Sequence, residues 1–415
     1  MLCLVLEIDR SNPALAGAIN YCCWGENKRE RTRGKGTIVH MEPKDFAYQC
    51  RHFRNDRPCL FHKKEGVSCF SCPHKDIVDQ RILVIKLDSP GDVLRTTCLL
   101  PGLKRAYPSS HVTWMTRNAG RPLLENNPFI DRIVDQWEEM FAILQTENFY
   151  VAINPDASPQ AARLLQMANA DEKLGMAWSA AGHVLCCNQE AEQWLLLGLS
   201  DDLKRANRET YQALIHRLCC LDLIDPRPLL YLTDREKDFA KEYLQNLGVN
   251  RQSPVIGINT GAGLRWPQKS WTLEQQIRLI HLTKQKYPEW QILLLGGPEE
   301  EERNQNLEES CPELVINTGL HPVRTFAAIV ELTHLLLTAD TLALHLGLAL
   351  NRQIVALFGP TSASEIDLCG SGDKLFTDLD CLCCYRIHCN KSPNCMDLLA
   401  AEKVLATIED RLQKI

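Results

Sequence analysis

Five short stretches of this chain carry residue types that could move a proton or hold a phosphate. In ILVIKLDSPGDVLRTTCLL, Ile82 to Leu100, an apolar run ends in a turn of small residues and places one acid, Asp92, at the first turn of a helix-like segment. A carboxylate at the mouth of a strand could take a proton from a hydroxyl; it could equally do no more than complement the positive end of the helix. Thr96 and Thr97 read either as polar lining or as helix interior. In NTGAGLRWPQKSW, Thr260 leads into Gly261 and Gly263, whose backbone N–H groups could approach an anion, and Arg265 and Lys269 add positive charge to the same loop. A pyrophosphate leaving group needs such a loop; the plain alternative is a flexible glycine turn with solvated cations. LLLGGPEEEER ends a strand in Gly296-Gly297 and begins a helix at Glu300, where a carboxylate could accept both hydroxyls of a ribose or simply make an acidic first turn. TADTLALHLGLAL sets Asp340 and Thr341 between a strand and a helix whose amides could hold phosphate, with His345 one turn on and on the same face. FGPTSASE adds a further Gly-Pro-Thr turn at a strand end.

The chain has 19 cysteines. Cys50, Cys59, Cys69 and Cys72, with His52, His62 and His74 close by, have a spacing that suits tetrahedral zinc, and iron or an iron-sulfur cluster would use the same ligands. A second group comprises Cys381, Cys383, Cys384, Cys389 and Cys395, with metal binding and plain thiols equally in view. Cys22-Cys23, Cys186-Cys187 and Cys219-Cys220 read as core or incidental.

Something must hold these residues in place. RILVIKL, HVTWM, RIVDQW and YVAIN fit buried strands alternating with helix-like segments, among them Val93 to Tyr107, in which Pro101-Gly102 predicts a kink. A mostly helical stretch, Gln189 to Leu223, and the proline-bearing linker DPRPLLYLTD lead to a second series, PVIGIN, QILLLG, LVIN, HLLLT and IVALFG, closed by amphipathic LLAAEKVLATIEDRL. The pattern is α/β with two doubly wound parallel sheets facing one another and ligands at the carboxyl ends of the strands. The expected divisions are a Cys-rich, metal-binding module over 1–80, a first Rossmann-like domain over 81–230, a second over 231–375, and a Cys-containing segment with the closing helix over 376–415.

The formal net charge of -6 and the pI near 6.1 give no basic footprint for nucleic acid. The opening MLCLVLEIDR is broken by Glu7, Asp9 and Arg10, and no long apolar window exists, so neither a spanning helix nor a signal peptide is expected, and the location expected is the cytoplasm. The basic run from Lys28 to Thr37 is either a solvated loop or a point of peripheral membrane contact. No G-x-G-x-x-G follows a strand, which disfavours a dinucleotide oxidoreductase.

Taken in order, KLDSPGDVLRTT, KRAYPSSHVTW, ENNPFIDRIV, RWPQKSW, GGPEEEER, ADTLALH, VALFGPTS and CLCCYRIHCNKSPNCM resemble glycosyltransferase family 9, the ADP-heptose heptosyltransferases of lipopolysaccharide assembly, over about Arg81 to Leu412. The resemblance implies a GT-B fold, an acceptor-binding first domain, a nucleotide-sugar-binding second domain and inversion at the anomeric carbon. It makes Asp92 the general base, Lys269 the lysine that meets the donor phosphates, Glu300 the acid near the ribose, and Asp340, Thr341 and His345 the segment around the diphosphate and sugar. It matches Cys381, Cys384, Cys389 and Cys395 to a family cysteine pattern that holds iron in one protein-modifying branch. The donor implied is ADP-heptose, and the acceptor is a lipopolysaccharide-type glycan at the inner membrane or, in that branch, a surface adhesin. No cofactor is needed for transfer. Two positions depart from the family: Leu342 stands where glycine is usual, which bears on phosphate approach, and Cys98 stands where proline is common. The reading from another class is a metal-stabilised nucleotide-binding module without turnover.

Overall fold

The structure, a computed structural model, describes residues 42–263 and 265–414; the basic run from Lys28 to Thr37 and Cys22-Cys23 lie outside them. Residues 42–46 make one short turn, Pro43–Asp45. From Ala47 onward the chain is one unit built on two six-stranded sheets.

The first sheet holds β1 (Gln80–Ile85), β2 (Ser110–Met115), β3 (Arg132–Val134), β4 (Asn148–Asn154), β5 (Asn169–Trp178) and β6 (Val184–Cys186), in the order β3-β2-β1-β4-β5-β6. All pairs are parallel except β5 with β6, where Met176 faces Cys186. Ile82, Leu83, Val84 and Ile85 are completely buried, as a continuous apolar run must be when helices cover both faces of a parallel sheet. The second sheet holds β7 (Val255–Asn259), β8 (Gln291–Leu295), β9 (Ile316–Asn317), β10 (Leu335–Ala339), β11 (Gln353–Leu357) and β12 (Gly372–Leu375), all parallel, in the order β12-β11-β10-β7-β8-β9. The strand order reverses between β1 and β4 in one sheet and between β7 and β10 in the other, and crevices for ligands open at such reversals.

Several local expectations change. RIVDQW is a strand only as far as Val134, because Trp137 already opens the helix Trp137–Thr146. The helix expected over Val93 to Tyr107 is two, Pro90–Thr96 and Leu99–Ala106, and the chain bends at Thr97 and Cys98, just ahead of Pro101. The closing helix Ala401–Leu412 returns to the second sheet, burying Val404, Leu405 and Ile408 in the core that contains Ile258, Leu337 and Leu357. That return is held by Trp271, whose indole N–H donates to the Leu399 carbonyl at 3.0 Å.

None of residues 47–79 is buried. This stretch joins the first sheet by backbone bonds, Asp79 N–H to the Ser109 carbonyl at 3.1 Å among them, and by Arg51, which pairs with Asp76 and with Asp131 beside β2.

Candidate functional site

Asp92 follows β1 and is the third residue of the helix Pro90–Thr96. Its Oδ2 accepts the Ser89 hydroxyl at 3.0 Å and the Ser89 N–H at 3.3 Å, and its Oδ1 pairs with Arg95 at 2.7 Å. The carboxylate therefore caps a helix and also faces outward, with 32% of its side chain exposed. The protein around it would by itself raise its pKa; Arg95, Lys86, His345 and the Ser89 N–H outweigh that and hold it well below the usual carboxylate range. Lys86, the residue after β1, is 3.5 Å from Asp156, which follows β4, so both strand ends at the first reversal carry charge. Thr96 ends the helix and Thr97 caps it, both buried and turned to the fold: Thr96 bonds the Asp92 carbonyl and the Tyr211 hydroxyl, both at 2.6 Å, and Thr97 takes the Leu229 N–H at 2.7 Å.

At the second reversal, Lys269 reaches from the loop after β7 to Asp340, which follows β10, with Nζ at 2.9 Å from both Oδ2 and the backbone carbonyl. Burial would raise the Asp340 carboxyl, and Lys269 and His345 more than offset it. Glu300 lies under the glycine loop, where its two oxygens accept Gly263 N–H and Gly297 N–H, each at 2.9 Å. Gly261 lets Glu300 sit this close, since a Cβ would stand 2.5 Å from Glu300 Cγ and displace the acid. Arg265 is exposed on the same loop. Thr260 is turned inward, 1% exposed, with its hydroxyl on Asn304, so it shapes the loop from below. Thr341 caps the helix Leu342–Ala349 with no side-chain bond to its amides. Its hydroxyl is 3.0 Å from Thr338 and 3.5 Å from Asn259 Nδ2. His345, 6% exposed, is driven down to about 4, first by burial and then by Arg95, so its imidazole is neutral at pH 7.

The two reversals meet. A Cβ on Gly91 would lie 3.2 Å from His345 Cδ2 and 3.6 Å from Leu342 Cα, so the helix bearing Asp92 abuts the helix that follows Asp340. Asp92 and His345 act on each other electrostatically, as do His345 and Asp340. The arrangement offers a proton acceptor on one side of a cleft and, on the other, a lysine, a glycine loop and a helix N-terminus suited to a diphosphate.

Sequence reading passed over Arg95 and Glu365. Arg95 had a signal, its position three residues after Asp92 on one helix. Glu365 had none beyond its place after a Gly-Pro-Thr turn.

The cysteines are less decisive. Cys50, Cys59, Cys69 and Cys72 are half-buried, as are Cys381, Cys384 and Cys395, while Cys389 is exposed. Cys395 is pushed up to about 11 by burial and then by Cys384, Cys389 and Cys381, which places those four thiols in one neighbourhood. Among the described residues no three Cys, His, Asp or Glu side chains converge as metal ligands. The donor chemistry fits zinc or iron; the arrangement described does not.

Comparison with known proteins places the chain among relatives. The sequence profile described as "Glycosyltransferase family 9 (heptosyltransferase)" matches residues 137–393. Lipooligosaccharide heptosyltransferase 2 of Haemophilus influenzae is 25% identical over 309 residues, covering 68% of this chain and 84% of that protein. Among solved structures, a glycosyl transferase family 9 protein from Veillonella parvula superposes with a TM-score of 0.63 at 18% identity, covering 82% of this chain and 99% of that one. The Escherichia coli ADP-heptose lps heptosyltransferase II does so with a TM-score of 0.60 at 18% identity, covering 80% and 99%.

Proposed function

The chain belongs to glycosyltransferase family 9, with a GT-B fold, and from that premise we propose that this glycosyltransferase moves a heptose, with inversion, from ADP-heptose to a hydroxyl of a lipopolysaccharide-type glycan. The observation that carries the reading is the meeting of Asp92 with the Lys269, Asp340 and His345 group across the contact of Gly91 with His345. The names of the relatives support the sugar and the nucleotide.

In the reaction the acceptor oxygen bonds to C1 of the sugar as its proton passes to the Asp92 carboxylate. The bond from C1 to the diphosphate oxygen breaks with its electron pair on oxygen. Lys269 and the free amides of the helix Leu342–Ala349 meet the charge that develops there. Lys269 is held by Asp340 in the structure described, so a bound diphosphate competes with that carboxylate for the ammonium. Neutral His345 offers a hydrogen bond near the reacting sugar without adding charge. Glu300, bonded to two loop amides, is within the donor loop for a ribose. Leu342 puts a side chain where close backbone approach is easier for glycine, so phosphate contact falls on Lys269 and on amides further along the helix.

No step is routed through a metal. Among the described residues no helix is long and apolar enough to cross a membrane.

The test is thermal stabilisation by a panel of ADP-, UDP-, GDP- and dTDP-sugars, followed by transfer to heptose-deficient lipopolysaccharide. Stabilisation by ADP-heptose that disappears in Lys269→Ala, with transfer abolished in Asp92→Asn, is the expected result. A protein that binds ADP-heptose and transfers it to nothing would be the nucleotide-binding module instead.

A further inference from the structure

Arg95 is one turn beyond Asp92 on the helix Pro90–Thr96, and its side chain is 15% exposed. Its Nη2 donates to Asp92 Oδ1 at 2.7 Å, the guanidinium lies 3.7 Å above the centre of the Tyr211 ring, and its buried Nε has no hydrogen-bond partner. With Ser89 on Oδ2, both oxygens of Asp92 are engaged. The charged or titratable groups facing Asp92 are Arg95, Lys86 and His345. Both lone pairs of Oδ2 are taken and one of Oδ1 is held by Arg95, so a hydroxyl that donates to Asp92 shares Oδ1 with the guanidinium and meets a weakened base until Arg95 yields.

A second partner for Arg95 waits on the other lobe. Glu365, 9% exposed, accepts the Tyr211 N–H on its backbone carbonyl at 2.8 Å, which sets it beside the ring on which Arg95 stacks. Among the described residues its carboxylate receives one side-chain hydrogen bond, from the Tyr385 hydroxyl at 3.5 Å. The groups facing Glu365 are Arg95, Lys204, Asp340 and Tyr385, and those facing Arg95 are Asp92, Tyr211, Glu365 and Asp340. A buried acid with little hydrogen bonding thus adjoins a buried arginine with a spare N–H. Burying either without a partner is costly.

We propose that Arg95 is a positioning residue shared between the two lobes: it clamps Asp92 against Ser89 at rest and passes to Glu365 when an acceptor hydroxyl docks on Asp92. One ion pair replaces another while the guanidinium stays stacked on Tyr211, so the exchange costs little. Arg95 neither gains nor loses a proton. Its departure leaves Asp92 more basic at the moment a proton must be taken, and the clamp at rest keeps the carboxylate ionised and aimed.

The proposal rests on Asp92 being the base, so its first readout is independent of any acceptor. In carbon-13 aspartate NMR the Asp92 signal is assigned by its loss in Asp92→Asn and then titrated. In the unaltered chain it stays ionised to the lowest pH at which the fold survives; in Arg95→Gln its midpoint rises by more than about one unit, and Arg95→Lys restores most of the difference. The second readout is transfer to heptose-deficient lipopolysaccharide. Glu365→Gln is expected to lower kcat by roughly tenfold or more with the donor KM unchanged, while the Asp92 titration stays low. An Asp92 titration indifferent to Arg95→Gln, or a Glu365→Gln enzyme with undiminished kcat, overturns the proposal. If Arg95→Gln does not fold, Arg95→Met, which keeps the aliphatic stem and removes the charge, carries the titration readout, and Glu365→Gln carries the kinetic one. If the unaltered chain transfers to no acceptor, the transferase reading fails separately, and the titration still decides the clamp.

Discussion

Lys269 Nζ stands 2.9 Å from Oδ2 of Asp340 and 2.9 Å from the backbone carbonyl of the same residue. One ammonium therefore ties the loop after β7 to the end of β10, at the point where the second sheet reverses. Both side chains are mostly enclosed, at 14% and 18% exposure. Removing one partner leaves an uncompensated charge, so Lys269→Ala is expected to cost about 3 kcal/mol in denaturant unfolding. Lys269→Met combined with Asp340→Asn removes both charges and should recover most of that loss. Stabilisation by ADP should be absent from both variants. Retention of the ADP response in the stable double variant would take Lys269 out of the donor site.

Gly261 and Glu300 give a second test, because a Cβ at Gly261 would meet the flexible end of an acid rather than backbone. Gly261→Ala should push the Glu300 carboxylate off the Gly263 and Gly297 amides, for a loss of about 1 kcal/mol in stability. The larger effect should be on ligand. By calorimetry ADP is expected to bind about tenfold more weakly, equivalent to ~1.4 kcal/mol. Omitting the 2′-hydroxyl should matter in the parent protein and not in the variant; equal discrimination in both would mean that Glu300 does not read the ribose.

His345 sets a pH dependence of stability. Its folded pKa of about 4 is below the ordinary value of 6.5 because burial and Arg95 disfavour the imidazolium, against the pull of Asp340 and Asp92. Between those values the unfolded chain binds the proton and the folded chain does not. Its contribution is therefore complete above about pH 6.5 and is lost as pH falls towards 4, for about 3 kcal/mol over the window. His111, likewise held to about 4, first by burial, adds a slope of the same sign. The measurement is the difference between the parent and His345→Gln in denaturant midpoint at pH 7 and pH 4.5. The parent should lose more on acidification, and parallel losses would show that His345 is not buried neutral.

The residues at the two strand-order reversals could be picked out in sequence because strand ends here are marked by small residues. Asp92 follows Ser89-Pro90-Gly91, Glu300 follows Gly296-Gly297, and Asp340 closes an apolar run. Asp92 also satisfies the bland expectation, since it does cap its helix. Thr260 shows the limit of this reasoning: its position after β7 was readable, but its inward rotamer depends on Asn304, in a helix far along the chain. Arg95 with Glu365 is the same problem across two lobes, where nothing local marks the pairing.

Strands were legible where both faces are buried and not where one faces water. β5, the ten-residue strand Asn169–Trp178, carries Asp171, Glu172 and Lys173 in its first half and is apolar only from Leu174 to Trp178, apart from one glycine. β12 is Gly372–Leu375, four residues with a single buried side chain. Both lie towards the edges of their sheets, where tertiary pairing decides what hydrophobic periodicity does not.

Residues 47–79 supply the last test, since a stretch with no buried residue depends on few tertiary ties. Arg51 is one: it bridges Asp76 within the stretch to Asp131 beside β2, where Asp131 also accepts the Val112 N–H at 2.7 Å and has Lys104 at 4.0 Å. Arg51→Met keeps the aliphatic stem and removes the bridge, while Val112 and Lys104 still partly satisfy Asp131. The first sheet should therefore hold, with global unfolding changed by about 1 kcal/mol or less. Cleavage between residues 50 and 79 by a dilute protease should quicken by roughly tenfold, because local opening tracks the energy of the few contacts that oppose it. The described arrangement of Cys50, Cys59, Cys69 and Cys72 does not converge on a metal, so a chelator should leave the cleavage rate of the parent and of Arg51→Met unchanged. The ADP response should survive both. If cleavage is unchanged in Arg51→Met but rises on chelation alone, metal rather than the arginine bridge orders this segment.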